Sequence, residues 1–278
     1  MNFPCSSSPR QSFKKIAHLL SPFVVNIIDY TFSEMRYVPQ GWYDVQGWSD
    51  SSVVSAQEKH WPILLQNLQG PGPLGVSHLP WHATREDLLD HNIIMSYGYV
   101  LALAARKRDS ISMLDWGGGV GHYYLYNKAL LPELPIDYYC YDIPNLCRLG
   151  RKLLPEAHLH DDESEVLGRE YDLVVTSSSL HYFEHWREVF RKLARVTREY
   201  LYVSRLQTVS AAPSFVVLHR PSRDGYTEFL SWCINSHELL DCARECGLEL
   251  VREFVFTERW SIRGAPEKGD CRGYLFRR

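Results

Sequence analysis

From Ser110 onward, short apolar runs alternate with amphipathic stretches. Candidate strands are Ser112 to Trp116, Asp137 to Tyr141, Tyr171 to Thr176 and Glu199 to Ser204, with candidate helices from Tyr123 to Leu130, Asn145 to Leu154 and Trp186 to Val196. Apolar strands separated by helices predict a mainly parallel sheet with helical crossovers, an α/β fold. Ser236 to Cys246 reads as a further helix, capped by its serine and ended by Gly247. Leu248 to Trp260 and Cys271 to Arg278, joined by a turn-rich stretch from Gly264 to Gly269, predict a terminal antiparallel hairpin.

Upstream, Thr84-Arg85-Glu86-Asp87 has the composition of a helix start. Apolar residues at Leu88, Leu89, Ile93, Ile94, Val100, Leu101 and Leu103 then carry a long helix to about Arg106. Before it the pattern is different. The first dozen residues read as a loose tail. Phe13 to Trp61 alternates apolar helical stretches with aromatic turns, and Gly70 to Gly75 reads as a connection. The chain thus divides into a mainly helical, aromatic extension over residues 1–80, suited to a lid or a homodimer contact, and a larger unit over 81–278. Arg205 to Trp232 is long for a connection and is expected to cap an acceptor pocket.

Composition narrows the function classes. With 278 residues, 45% hydrophobic and 23% charged, the chain has the balance of a soluble globular protein, and a net charge of −3 gives no bulk attraction for nucleic acid or anionic lipid. Arg106-Lys107-Arg108 reads as the cationic last turn of a helix. Seven cysteines without a secretory signal argue for reduced thiols and a cytoplasmic location. The apolar stretch from Ile16 to Ile28, broken by Ser21, Pro22 and Asn26, is too short for an integral membrane segment.

Candidate chemistry concentrates in Asp115-Trp116-Gly117-Gly118-Gly119-Val120-Gly121-His122, where an apolar strand ends in an acid followed by four glycines in five positions. Glycines there let a strand turn tightly into a helix and let a ligand approach the backbone. The dinucleotide spacing Gly-x-Gly-x-x-Gly fails, because its third position falls on His122. Asp142 lies twenty-one residues beyond Gly121, at the tip of the next strand, where a carboxylate can accept ribose hydroxyls and Ile143 can pack on a base.

Asp115, Gly117, Gly119 and Gly121 resemble the first motif of class I S-adenosylmethionine-dependent methyltransferases. Tyr171 to Thr176, followed by Ser177-Ser178-Ser179-Leu180-His181, resembles the fourth motif and the Leu-His segment after it. The Asp-Trp-Gly-Gly-Gly pattern is similar to that of a bacterial methyltransferase group associated with glycan or specialised-metabolite genes. The resemblance implies a Rossmann-like sheet and S-adenosyl-L-methionine as cofactor. It also implies cofactor contacts at Asp115, Gly117, Gly119, Gly121, Asp142, Ile143, Ser177 and one of Asp161 and Asp162.

Transfer of the methyl group is an in-line displacement, in which the protein aligns the acceptor and excludes water. A hydroxyl acceptor needs a base. His181 is the candidate, matching the base of the plant-type small-molecule O-methyltransferases, although a histidine here also serves as a structural residue in other members. Tyr123, Tyr124 and Tyr226 are candidate substrate residues, with His219 and Arg220 near them in the same reading. Ser-Ser-Ser replaces the Asn/Asp-Pro-Pro-aromatic pattern of base-methylating enzymes, favouring a small-molecule or carrier-bound acceptor, O- or N-methylated, over nucleic acid. Two other readings stand beside this one. One is a cofactor-binding scaffold of the same fold without turnover; the other is a zinc hydrolase using His181, Glu184 and His185 as His-x-x-Glu-His on a helix.

Overall fold

A computed structural model describes residues 34–75, 86–220, 228–257 and 261–278. Among these residues the ten strands are β1 Glu34–Tyr37, β2 Ile111–Trp116, β3 Ile136–Tyr141, β4 His158–His160, β5 Tyr171–Ser177, β6 Thr197–Val209, β7 Phe215–Arg220, β8 Phe229–Asn235, β9 Glu249–Val255 and β10 Asp270–Arg277. The α-helices are α1 Ser51–Asn67, α2 Leu88–Ala105, α3 His122–Leu130, α4 Pro144–Leu153, α5 Glu163–Leu167, α6 Trp186–Val196 and α7 Ser236–Glu245.

Strands β4-β3-β2-β5-β6 are parallel, and β10 runs antiparallel between β6 and the edge strand β9. Side chains alternate across this sheet because strand residues point to opposite faces in turn. Met113, Leu173, Tyr202 and Leu275 join α1, α2, α3 and α4 on one face. Leu114, Val174, Val203 and Phe276 join α5, α6 and α7 on the other. Helices on both faces explain why the central strands are apolar throughout.

The expected helices and strands lie within a few residues of their predicted bounds, and the terminal hairpin is present as β9 and β10. Arg205 to Trp232 differs from expectation. β6 continues straight through its start to Val209, and β7 and β8 form an antiparallel pair that enlarges the sheet. The physical reason is alternation: Val216 and Leu218 pack with Val38, whereas Phe215 and Val217 pack with Met35, so both faces of β7 are buried. The extension also contributes a strand, since β1 pairs with β7, while Val53, Trp61 and Leu64 of α1 enter the same core as β2.

The basic triplet lies beyond the last turn of α2, which ends at Ala105, and its Arg108 is used instead at the amino end of the strands. Arg108 pairs with Asp172 at 3.1 Å and with Glu199 at 2.7 Å, and Arg198 reaches Asp172 at 2.8 Å. Burial alone would raise the Asp172 pKa, but bonds from Ser112 and Arg198, with the nearby charge of Arg108, hold it below the ordinary carboxylate range. Asp172→Asn, which removes the buried carboxylate between Arg108 and Arg198 but leaves them Glu199 and Glu170, should cost about 1–2 kcal/mol in urea unfolding, while exposed Asp241→Asn should cost almost nothing. α2 is long and apolar enough to cross a membrane, but its Ile94, Tyr97, Val100, Leu101 and Ala104 are buried in the core.

Candidate active site

The strand order reverses between β2 and β5, whose chain connections lead in opposite directions along the sheet. Ligands of open α/β sheets bind at the carboxyl ends of the strands at such a point. The glycine loop leaves β2 there and enters α3. A Cβ on Gly117 would lie 1.8 Å from Ser179 Oγ, and one on Gly118 would lie 2.3 Å from Asp115 Oδ2. At Gly117 and Gly118 the loop is therefore pressed against Ser179 and Asp115 with no room for a side chain.

The two carboxylates singled out in the sequence meet at this loop from opposite sides. Asp142, half-buried, accepts from Gly119 N–H at 2.7 Å through Oδ2 and from Ile143 N–H at 2.7 Å through Oδ1. Each carboxylate oxygen has a second acceptor site available for a ligand hydroxyl. Burial pushes the pKa of Asp142 up to about 6, against the lowering effect of those two backbone bonds. Asp115 has no exposure at all and lies beneath Gly118, accepting from the Tyr138 hydroxyl at 2.6 Å. Burial pushes it up to about 7, and the neighbouring Asp142 charge adds to the rise. Asp115 thus supports the loop from below.

The remaining candidates divide. Gly121, in the left-handed conformation at φ +94°, is the residue before α3. The Tyr123 hydroxyl lies beside Ser177 at the end of β5 and Ser204 within β6, and its ring packs edge-on against Tyr97 at 4.5 Å. Tyr124 faces elsewhere: its ring lies 5.6 Å from that of Tyr138, and Lys128 Nζ sits 4.3 Å over it. Ile143 is half-buried at the start of α4. Asp142 N–H donates to the His160 carbonyl, which brings the following Asp161 and Asp162 near this corner. Asp161 is bound by Arg151 at 2.5 Å, and Asp162 caps α5 by accepting from Ser164 N–H at 2.9 Å. Tyr226 lies outside the described residues.

His181 sits in a 3-10 turn, Leu180–Tyr182, and is 1% exposed. Neither ring nitrogen has a hydrogen-bond partner among the described residues. Burial lowers its pKa to about 3, with His219 and Arg205 adding to the effect. It is neutral at pH 7, with one nitrogen ready to accept a hydrogen bond. The His-x-x-Glu-His pentapeptide is not helical: Phe183 is extended, His185 precedes α6 and is exposed, and the two histidines share no helical face. The reading of that segment as a zinc motif is thereby corrected.

Several site residues escaped the sequence reading. His122, at the first turn of α3, donates to the Gly118 carbonyl and meets Gln57 of α1 at 3.1 Å, pinning the glycine loop to the extension. Beside His181, the rings of Trp48, Tyr182 and Phe229 lie 5.2–5.3 Å from one another. His219, which the sequence did single out, stacks on Phe229 at 4.7 Å and meets Gln207, which also accepts from the Ser231 hydroxyl at 3.1 Å. Aromatic spacing hints at Trp48 alone; nothing local marks Gln57 or Gln207.

Orphaned buried polar atoms collect at this edge: Asp115 Oδ1, Trp116 Nε1, Thr176 Oγ1 and both nitrogens of His181. Buried polar groups without partners are rare, and their concentration around the glycine loop fits a polar ligand at this edge. The Trp116 ring is held against Tyr141 at 4.1 Å and near Phe183.

A family model described as a methyltransferase domain matches residues 98–253. Among solved structures, magnesium protoporphyrin IX methyltransferase from Synechocystis PCC 6803 with bound SAM is similar at a TM-score of 0.46 and 14% identity, over 82% of this chain and 97% of that one. A SAM-dependent methyltransferase from Methanosarcina mazei gives 0.47 and 17% identity over 63% and 96%. The Burkholderia thailandensis 1,6-didemethyltoxoflavin N1-methyltransferase, bound to its namesake compound and S-adenosylhomocysteine, gives 0.46 and 13% over 88% and 99%. No match was found among curated proteins.

Proposed function

The chain belongs to the methyltransferase-domain family and is a methyltransferase of the S-adenosylmethionine-dependent class; from that premise we propose that it methylates a small-molecule or carrier-bound acceptor at the carboxyl edge of β2, β5 and β6. One observation carries the reading: the glycine loop and Asp142 meet at 2.7 Å at the switch point of the sheet. The cofactor supplies an electrophilic methyl group on a sulfonium sulfur. The residues fit it. Asp142 has acceptor capacity for the ribose hydroxyls, and the loop backbone leaves open the side on which a Cβ at Gly119 would find only His122, at 3.4 Å.

His181 serves a hydroxyl acceptor. A hydroxyl becomes strongly acidic as its oxygen forms the new bond to carbon, so even a ring of low basicity can take the proton late in the transfer. The neutral ring holds the hydroxyl through its acceptor nitrogen, while Trp48, Tyr182 and Phe229 exclude water around it. The described part of the extension belongs to this site as its wall, through Trp48 and Gln57. A homodimer contact for residues 1–80 stays an open use of the rest, and we place the protein in the cytoplasm on its cysteine content.

Calorimetric titration with S-adenosylmethionine and S-adenosylhomocysteine tests the cofactor assignment; absence of binding to both would leave a scaffold role. His181→Ala should lower single-turnover methyl transfer by about 100-fold with cofactor affinity changed less than twofold. Because the His181 pKa is already depressed to about 3, the rate at saturating cofactor should show no titration step near 6.5 that depends on His181. A step there that disappears in His181→Ala would contradict the neutral, buried ring.

A further inference from the structure

α1 fastens to the two helices that begin at the glycine loop. The Ser49 carbonyl, just ahead of its first turn, accepts from Asn145 Nδ2 at 3.4 Å, and Asn145 stands on the first turn of α4. Further along α1, the amide of Gln57 meets His122 Nε2 at 3.1 Å, on the first turn of α3. One turn later, the Trp61 ring lies 5.9 Å from the same imidazole. α3 begins after Gly121 and α4 after Ile143, so both helices start beside the contact at which Gly119 N–H donates to Asp142.

Gln57 and His122 are buried together, at 6% and 7% exposure, sixty-five positions apart in the chain. On the buried face of α1, among Val53, Trp61 and Leu64, an amide without a partner would cost about 1–3 kcal/mol, and His122 is the partner it has. On its other side the ring lies against the loop: Nδ1 stands 3.4 Å from where a Cβ on Gly119 would be. Burial lowers the His122 pKa to about 3 and keeps the ring neutral. In a neutral imidazole the bond made at one nitrogen sets which nitrogen carries the proton. Gln57 thus fixes both the tilt of the ring and the protonation of the nitrogen that faces the loop.

The loop needs such a support. Gly117 and Gly119 hold positive φ angles of +73° and +65°, and without side chains they have no packing of their own to keep them there. A loop already held in its bound conformation loses less entropy when a ligand arrives. Resting on the assignment of this loop to the cofactor, we propose that Gln57 is a positioning residue for it: through His122, docking of α1 and binding of the S-adenosyl group strengthen each other. Linkage makes the two effects equal in size, so each can be measured on its own.

Hydrogen exchange of the full chain, with and without saturating S-adenosylhomocysteine, reads the first effect, and titration calorimetry reads the second. The ligand should slow exchange over α1 by about tenfold, within the range of coupling between sites, and change α7, on the opposite face of the sheet, less than twofold. Gln57→Met keeps the length of the side chain and removes its amide. It should weaken S-adenosylhomocysteine by the same factor, about tenfold, and abolish the ligand's effect on α1 exchange, while lowering the thermal midpoint by only about 2–4 °C. Lys59→Gln, exposed on the same helix, should match the wild type in both measurements.

Binding of S-adenosylhomocysteine that leaves α1 exchange unchanged, or slows α7 as much as α1, overturns the proposal, because the ligand then acts on the fold without acting through α1. Unaltered affinity in Gln57→Met overturns it as well. So does weakened affinity with the protection of α1 retained, which would make Gln57 a packing residue. Should Gln57→Met not fold, the comparison of α1 with α7 in the wild type decides alone. Failure of the wild type to bind S-adenosylhomocysteine defeats the cofactor reading and this one with it, whereas binding without a response in α1 defeats this one only.

Discussion

Gly118→Ala should abolish measurable binding of S-adenosylhomocysteine, a loss of at least about 100-fold, and should lower unfolding stability by about 2 kcal/mol, within the range for overpacking a rigid site. The added methyl carbon would stand 2.3 Å from Asp115 Oδ2, 2.5 Å from Asp115 Cγ and 2.7 Å from Cys140 Sγ. None of these can retreat. Asp115 and Cys140 have no exposure, and Asp115 is held by the Tyr138 hydroxyl. The loop itself must lift, which moves Gly119 N–H from Asp142. Gly168→Ala is the matched control, because its Cβ would meet nothing closer than Ser164 O at 3.7 Å. Titration calorimetry with urea unfolding reads both effects; a Gly118→Ala protein that binds normally would show that the loop is looser than its packing.

Asp142→Ala should weaken S-adenosylhomocysteine by about 100- to 1,000-fold, since two hydroxyl bonds to a carboxylate are together worth about 3–4 kcal/mol. It should also change the pH profile. The pKa of Asp142 in the free protein is raised to about 6, chiefly by burial, and that of Asp115 to about 7. On the proposed reading, ribose hydroxyls would donate to the ionised form of Asp142. Wild-type affinity should therefore rise as pH increases through 6 to 7 and fall about tenfold per unit below that window, with protons released on binding. The same shift has a stability consequence of opposite direction. A carboxylate whose folded pKa exceeds its unfolded value favours the folded state below the unfolded pKa and loses that contribution as pH rises through the folded one. Asp142→Ala should thus recover relative stability at pH 8 while losing ligand. Equal affinity at pH 5 and pH 8 in the wild type would refute the role of the ionised carboxylate.

The two ends of this site differ in how far they were legible. The glycine loop and Asp142 could be read because each depends on residues close in sequence: a strand end, a turn too tight for side chains, and an acid where the next strand stops. Asp115 was legible as a position but not as a contact, because burial beneath Gly118 depends on how β3 supplies Tyr138 and Cys140. The emphasis on alternate glycines also passed over Gly118, whose close approach comes from the fold and not from a turn conformation.

The acceptor side was mostly hidden. Gln57 meets His122 across sixty-five positions of chain, and Phe229 and His219, the latter named from the sequence, arrive on strands that read as a connection. β6 bulges at Ser204 and Arg205 with no glycine of its own to advertise it. That bulge exists because β10 pairs with β6 in a shifted register, a property of two segments that neither displays alone.

By itself, the amino-acid sequence determined the alternating α/β order, the parallel central strands, the terminal hairpin and the position of the glycine loop and Asp142 at adjacent strand ends, because periodicity and turn chemistry act over a few residues. Only the tertiary structure decided that α1 of the extension joins the core beside β2, that Gln57 meets His122 at the glycine loop, and that His181 is buried with neither ring nitrogen hydrogen-bonded among the described residues. Those are consequences of burial and strand register, which arise when distant segments displace water from one another.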